Sequence, residues 1–421
     1  MQKNNTIFYY ILYVSKYFIL LSFLLFCNSC TEAYQINYSE TYEDLIVVEA
    51  IITNELKHQE ITLTKTFQID EIFDEYIPDA NVYVSLENGS TYDFYFNSET
   101  NTYLSEIEFQ AEPDINYQLH INYNNTLYES TIVKMAPIAE VTDIKFERET
   151  IDSEDGVSIR LNTDSPNSKL LRYEYEETYK HITPYGIAED LDVQWVPIPG
   201  FDFLYKIRLT TVPKTEQTQI CYITKNSDNI ILNSFNNTQT SSTINDALIK
   251  FIPVTNYIIS SRYAIKVKQY VHNTTAYSFY QNLKKISESN SSLSPIQPGY
   301  IVGNIVNQEN SSDKIMGIFD VASVSSSERI FFNYADLFPD EELPQYFTEC
   351  NITPLNINPE NPGDDNTELL LIYLDQGNMA FYHLIEIVPE SSWTVYMMPT
   401  ECIDCTYFDN SATTPPDFWI E

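Results

Sequence analysis

The chain has 421 residues and a formal net charge of −37, while 43% of its residues are hydrophobic and 14% are aromatic. A charge this negative repels phosphate backbones, so nucleic acid is excluded as a partner. The apolar and aromatic content is too high for a disordered acidic polymer, and it provides material for packed cores. At this length we expect two or three domains.

The N-terminus has the pattern of a bacterial lipoprotein signal peptide. Two lysines, Lys3 and Lys16, precede an apolar segment, Tyr17 to Cys27, which is too short to span a bilayer. A serine stands directly before Cys30, as cleavage and thiol acylation require. We predict a signal peptide at residues 1–29, acylation of Cys30 and a linker at residues 30–44, with the chain tethered outside the cytoplasm. The alternative is an ordinary secretory signal or an uncleaved anchor.

Four cysteines remain after the predicted acylation site, namely Cys221, Cys350, Cys402 and Cys405. An even number of cysteines in an oxidising compartment predicts two structural disulfides, and four cysteines allow three connectivities. Cys402 and Cys405 also have the spacing of a redox or zinc site, which is the alternative. A redox pair would need a thioredoxin-like βαβ pattern and a zinc site would need a second close pair, and the sequence has neither.

Beyond the linker the dominant pattern is a period-two alternation of β-branched and aromatic residues, which predicts a mainly β fold. Up to Pro137 this alternation forms about seven short strands, the number and spacing typical of a β-sandwich. Asn88-Gly89 is a hairpin signal between the strand Val82 to Leu86 and the strand that follows it. We therefore predict an N-terminal Ig-like or transthyretin-like β-sandwich at residues 45–137.

Residues 138–421 are predicted to form a larger β-rich domain with one inserted helix. Alternation resumes in strands such as Leu170–Tyr179 and Tyr263–Tyr270. The helix is predicted near residues 275–288, where aromatic and aliphatic residues recur at helical spacing and lysines stand near the end. The apolar run Leu369–Leu374 is interpreted as a further strand.

Several short motifs follow one another in an informative order: Leu45-Ile-Val-Val-Glu-Ala-Ile-Ile-Thr-Asn54, Pro78-Asp-Ala-Asn-Val82, Pro137, Ala276-Tyr-Ser-Phe279, Gly303-Asn-Ile305, Gly317-Ile-Phe319, Cys402-Ile-Asp-Cys405 and Pro416-Asp-Phe-Trp419. In this order they resemble the domain of unknown function 4249 family of Bacteroidota outer-membrane lipoproteins. The resemblance implies a lipid-anchored protein at the cell surface or the periplasmic face of the outer membrane. It also implies association with TonB-dependent transport and no established enzymatic activity.

Motifs that carry catalysis are missing from the sequence. The five histidines are widely spaced, so there is no zincin-type helix, and no nucleophile elbow or phosphate-binding glycine loop occurs. Asp152-Ser-Glu-Asp-Gly156 has a superficial likeness to a calcium loop, but its glycine falls one place early, and we interpret it as an exposed turn. We predict a noncatalytic protein with no cofactor and no metal site.

Two functions remain open. The favoured one is an accessory or binding lipoprotein that reaches the outer membrane through its lipid anchor, with a TonB-dependent transporter and its nutrient ligand as candidate partners. The alternative is a lipid-anchored degradative or processing hydrolase with an appended β-sandwich. Such an enzyme would need a pocket with converging carboxylates or a metal.

Overall fold

The structure, a computed structural model, describes residues 45–66, 75–164, 170–200, 205–234, 243–288, 301–310, 313–359, 361–388 and 392–421. Strands dominate these residues, and the predicted mainly β fold class is confirmed. The predicted signal peptide, Cys30 and the linker lie outside the described residues.

The strands before Pro137 are β1 (Ile46–Thr53), β2 (Glu60–Lys65), β3 (Glu75–Tyr76), β4 (Asn81–Leu86), β5 (Thr91–Asn97), β6 (Thr102–Ser105), β7 (Asn116–Tyr123), β8 (Thr126–Ser130) and β9 (Val133–Lys134). They pair antiparallel in the order β1–β2–β6–β5–β4–β7–β8 around a shared apolar core. Burial alternates along β1, as its period-two pattern predicts. The predicted turn at Asn88-Gly89 joins β4 to β5, and Gly89 takes a φ of 84° there.

The strands after Pro137 are β10 (Glu140–Ile151), β11 (Glu154–Asp164), β12 (Leu170–Ile182), β13 (Glu189–Pro197), β14 (Tyr205–Pro213), β15 (Ile220–Asn226), β16 (Ile231–Ser234), β17 (Thr243–Pro253), β18 (Arg262–Val271), β19 (Ile305–Asn307), β20 (Met316–Ser326), β21 (Ile330–Asn333), β22 (Thr353–Ile357), β23 (Met379–Val388), β24 (Ser392–Pro399) and β25 (Ser411–Ala412). β12 is central, with β15 and β16 on one side and β18 on the other. The sheet β10–β11–β17 packs its apolar face on β12, β15 and β18.

A smaller layer lies at the C-terminal end of the sequence. β22, β24 and β23 form an antiparallel sheet, and β13 and β14 form a hairpin. Apolar residues of both, including Leu209 from the hairpin and Val395 from the sheet, share one core. The hairpin, although earlier in the chain, is therefore held by the C-terminal sheet.

β20 connects the N-terminal strands to the rest of the protein. Its first part runs parallel to β1, with Val47 opposite Met316, and its last part runs antiparallel to β18, with Lys268 opposite Ser326. β19 pairs in turn with β8. The sheet of the N-terminal region thus includes strands from beyond residue 300, and the predicted domain boundary at residue 137 stays a prediction.

The predicted helix near 275–288 is confirmed as α1 (Thr274–Glu288), and Asn273 caps it, since its Oδ1 accepts a hydrogen bond from the Ala276 amide at 2.9 Å. Two further helices are α2 (Tyr334–Leu337) and α3 (Thr367–Gln376). The predicted strand at Leu369–Leu374 is wrong, because these residues lie in α3. Among the described residues, no helix is both long and apolar enough to cross a membrane.

Gly317 lies where β20 first meets β1, at a φ of 110°. A β-carbon built on it would stand 1.8 Å from the carbonyl oxygen of Val48, so a larger residue must push the two strands apart. We expect Gly317→Ala to lower the free energy of unfolding by about 2–4 kcal/mol, from backbone strain and overpacking together. Chemical denaturation measures this.

Gly89→Ala is the matched control, because Gly89 also has a positive φ but a β-carbon there would meet nothing within 4 Å. Gly89→Ala should lower the free energy of unfolding by about 1–2 kcal/mol, which is the cost of backbone strain without overpacking. Equal losses from the two variants would show that the close approach of β1 and β20 contributes nothing.

Candidate functional site

The candidate site lies on the face of β12 and β18 that points away from the apolar core. In the register of this pair Glu174 stands opposite Lys268, and Glu176 stands opposite Lys266. Side chains alternate along a strand, so these even-numbered positions share one face while neighbours such as Tyr173 enter the core. The sheet therefore carries a cross-strand ladder of opposite charges on this face.

A cleft with a volume of about 580 Å³ opens on this face, within the range of small-molecule pockets. Its lining comes from segments that are far apart in the chain: Glu55, Glu174, Tyr175, Glu176, Asn226, Ser227, Lys266, Lys268, Tyr270, Ser326 and Arg329. Glu55 follows β1, and Arg329 lies in the short link between β20 and β21. The fold thus brings all these polar groups to one concave surface.

Ion pairs fix most charges of the cleft. The Nζ atom of Lys268 lies 3.1 Å from a carboxylate oxygen of Glu55, and Arg329 pairs with Glu176. Burial alone would raise the pKa of Glu55, but the hydrogen bond and charge of Lys268, helped by Lys57, outweigh burial and lower that pKa. Glu55 is therefore ionised at neutral pH and is held in place by its partners.

Arg172 lies behind two lining residues of the cleft, Glu174 and Tyr270. Its guanidinium carbon lies 4.4 Å and 4.5 Å from the ring centroids of Tyr270 and Tyr280, so two aromatic rings stack on it. Arg172 also pairs with Glu174, which accepts a hydrogen bond from the Tyr270 hydroxyl at 2.8 Å. These contacts set the orientation of the Glu174 carboxylate.

A buried polar chain continues from Arg172 into the protein. The Arg172 Nε donates to His272 Nε2 at 3.0 Å, so the proton of His272 is on Nδ1, which donates to Asp320 at 2.6 Å. The side chains of His272 and Asp320 have no solvent exposure. Asn273, the cap of α1, donates to the other oxygen of Asp320.

Both ring nitrogens of His272 are thus occupied, and neither faces the cleft. This arrangement differs from a catalytic dyad, in which one nitrogen must reach the reacting group. The chain from Asp320 through His272 to Arg172 fixes the wall of the cleft and the start of α1. Within the ranges that the structure describes, no group of three or more His, Cys, Asp or Glu side chains is placed to hold a metal ion.

A second buried histidine, His181, lies far along β12 from Glu174. Its Nε2 is 3.0 Å from the Tyr346 hydroxyl, and its ring centroid is 4.6 Å from that of Phe408. Burial lowers the pKa of His181 to about 4, so the ring is neutral at physiological pH. His181 packs the C-terminal segment onto β12 and takes no part in the cleft.

The four cysteines lie in pairs at disulfide distance. Cys221 pairs with Cys405 and Cys350 with Cys402, with Cα–Cα distances of 5.7 Å and 5.8 Å. The structure thus selects one of the three connectivities that the sequence left open. Cys402 and Cys405 bond to different partners, so the CxxC spacing does not form a redox pair within itself. The first pair joins β15 to the C-terminal segment.

None of the residues that the sequence analysis proposed as site residues lines the cleft. The predicted lipidation site, Cys30, lies outside the described residues, and the cysteine pairs stand apart from the lining. The sequence did contain a signal, since glutamates at 174 and 176 and lysines at 266 and 268 repeat at period two and mark the solvent face of a strand. The residues Glu55 and Arg329 carry no such local signal.

Fold and cleft together define a mainly β protein with a charged, solvent-open cleft on its central sheet. The chain belongs to the family described as Domain of unknown function (DUF4249), which it matches over residues 31–328, and the resemblance seen in the sequence is thereby confirmed. Neither a curated protein nor a solved structure matches the chain. The match includes every lining residue of the cleft except Arg329, whereas three of the four paired cysteines lie beyond it.

Proposed function

We propose that this protein is a noncatalytic cell-envelope lipoprotein that binds a small polar ligand as an accessory component of a TonB-dependent outer-membrane transport system. The single observation that carries the binding function is the cleft of about 580 Å³ on the outer face of β12 and β18. The envelope location is supported by the signal-peptide pattern before Cys30. The link to transport is supported by what the family resemblance implies.

The state of the charged groups favours binding over catalysis. A general acid or base must exchange a proton with a bound substrate, so its carboxyl group must be free to do so. Glu174 is held by Arg172 and by the Tyr270 hydroxyl, and Glu176 is held by Arg329. Carboxylates fixed in this way suit recognition of a ligand, because they are oriented before it arrives.

The anchor is tested by Cys30→Ser. We expect this variant to move from the membrane fraction to the soluble fraction, because the acyl chains hold the protein on the bilayer. Cys27→Ser is the matched control, since it lies in the predicted signal peptide and should leave the protein membrane-bound. Fractionation and mass spectrometry of the N-terminal peptide measure both. If Cys30→Ser stays wholly with the membrane, acylation is not the anchor.

The function is tested by affinity capture of the full-length protein from native outer membranes, combined with a hydrolase screen on glycans, peptides and esters. We expect a component of a TonB-dependent transporter to copurify and no substrate to be turned over. Glu174→Gln and Glu176→Gln accompany the screen, because these carboxylates would serve a hydrolase. The hydrolase alternative replaces the proposal if no transporter component is recovered and turnover is lost in either variant.

A further inference from the structure

One positive charge of the cleft is left without a partner after its carboxylates have been paired. Its three carboxylates all have cationic partners in the protein: Glu55 with Lys268, Glu174 with Arg172 and Glu176 with Arg329. Lys266 also lines the cleft and is exposed, but it has no ion-pair partner within the described ranges. The free charge that the cleft offers to a ligand is therefore positive, in a protein whose net charge is −37.

Arg329 lies at the same end of the cleft, where its charge is paired with that of Glu176. It stands beside the position of Lys266, because β21 begins opposite Ile265 at the next residue, Ile330. The guanidinium stacks on the Phe418 ring, with its carbon 3.6 Å from the ring centroid, and one side of it pairs with Glu176. Its Nη1 is buried and has no hydrogen-bond partner in the described structure, so this atom does not face the cleft. Arg329 is therefore fixed by Glu176 and Phe418, and it holds Glu176 beside Lys266.

The other end of the cleft offers uncharged and acceptor groups. Ser326 stands there opposite Lys268, and the carboxylates of Glu55 and Glu174 keep lone pairs that are free to accept hydrogen bonds. Asn226 stands opposite Glu176, in the same cross-strand row as Lys266, and Ser227 follows it on the way to the next row. Same-face positions two residues apart on a strand are separated by about 7 Å, so this end begins about 7 Å from Lys266. The spacing matches the width of one sugar ring with a charged substituent.

Resting on the binding function proposed above, we propose that the ligand is a small hydroxylated carboxylate of the sugar-acid class. Lys266 contacts its carboxylate, and the hydroxyl groups meet the amide, serine and glutamate side chains. A carboxylate fits better than a phosphate, because three glutamates and the strongly negative protein repel a doubly charged anion more than a singly charged one.

The test is to titrate residues 31–421 of the protein with each probe at constant ionic strength and to follow binding by NMR. The probes are glucuronate, glucose and glucosamine, which share a ring and differ in charge, and inorganic phosphate. We expect glucuronate to bind at least about tenfold more tightly than glucose or glucosamine, since a hydrogen bond to a charged group contributes about that factor or more. Lys266→Gln should remove this preference.

Two variants separate recognition from a general loss of structure. Lys285→Gln, at an exposed lysine on α1 that has no ion pair in the described residues, should leave glucuronate binding unchanged. Glu176→Gln should strengthen it by a few fold, because a negative charge beside Lys266 is removed and Arg329 is released. Equal binding of glucose and glucuronate, tighter binding of phosphate, or an unaffected Lys266→Gln variant would each overturn the inference.

These experiments distinguish a wrong ligand class from a wrong proposed function. If the transporter copurifies and glucuronate does not bind, only the ligand class is wrong. If glucuronate binds and a glucuronide is hydrolysed, the ligand class stands and the noncatalytic function is wrong.

Discussion

Asp320→Ala is expected to lower the free energy of unfolding by about 3–5 kcal/mol, the cost typical of removing one partner from a buried charged network. The Asp320 carboxylate accepts hydrogen bonds from His272 and from Asn273, and neither its own side chain nor that of His272 is exposed to solvent. Without it, the buried Nδ1 of His272 and the half-buried amide of Asn273 lose their acceptor, and loss of the acceptor of a buried donor costs about 1–3 kcal/mol. Urea denaturation followed by fluorescence measures the change.

Asp93→Ala provides the control, because Asp93 is an exposed acid on β5 and should shift the free energy of unfolding by no more than about 0.5 kcal/mol. The loss of unfolding free energy in Asp320→Asn should lie between those of Asp320→Ala and Asp93→Ala, since its amide oxygen can still accept a hydrogen bond. Asp320→Ala should also weaken ligand binding in the cleft, because His272 positions Arg172. A stability loss no larger than that of Asp93→Ala would mean that the buried chain is not a structural element.

Removal of the Cys350–Cys402 disulfide by the double variant Cys350→Ser/Cys402→Ser is expected to lower the free energy of unfolding by about 2–5 kcal/mol. The bond closes a loop with a sequence separation of 52, for which the chain-entropy estimate is about 4 kcal/mol. The loop contains α3 and all three strands of the C-terminal sheet, so the unfolded state gains much freedom when it is opened. Thermal melting with and without reductant measures the effect.

The bond between Cys221 and Cys405 has a sequence separation of 184, and its chain-entropy estimate is about 5 kcal/mol. Peptide mapping under nonreducing conditions should recover Cys221 with Cys405 and Cys350 with Cys402, and thiol titration should find no free cysteine after Cys30 before reduction. The wild type in reductant should have the same melting temperature as a variant in which all four of these cysteines are replaced by serine. Zinc bound at Cys402 and Cys405, found by metal analysis, would contradict the disulfide prediction.

Local patterns predicted most of the elements of the fold. Alternating burial in β1, the turn at Asn88-Gly89 and the helix near 275–288 all follow from periods that the sequence shows directly. The segment Leu369–Leu374 was interpreted wrongly because a continuous apolar run has no clear period. Gly377, which ends α3 with a φ of 67°, was the local signal for a helix.

The cleft was harder to predict, because it depends on pairings between distant segments. Glu55 meets Lys268, and Glu176 meets Arg329, only after β12, β18 and the link between β20 and β21 have come together. The same is true of the polar chain from Arg172 to Asp320, whose members come from β12, from the link after β18 and from β20. Sequence patterns report which face of a strand meets solvent, but they do not report which strands are neighbours.

The pairing of β1 with β20 also bears on how the protein folds. Residues 54–315 separate the two strands, so this parallel contact is among the most nonlocal in the chain, and closure of such a loop is slow. Until residue 322 is available, one edge of β1 has no neighbour, and an open edge of apolar strand is a template for aggregation. The first strand of the described residues to be synthesised is therefore among the last to be completed, and its edge stays open until residue 322 has been made.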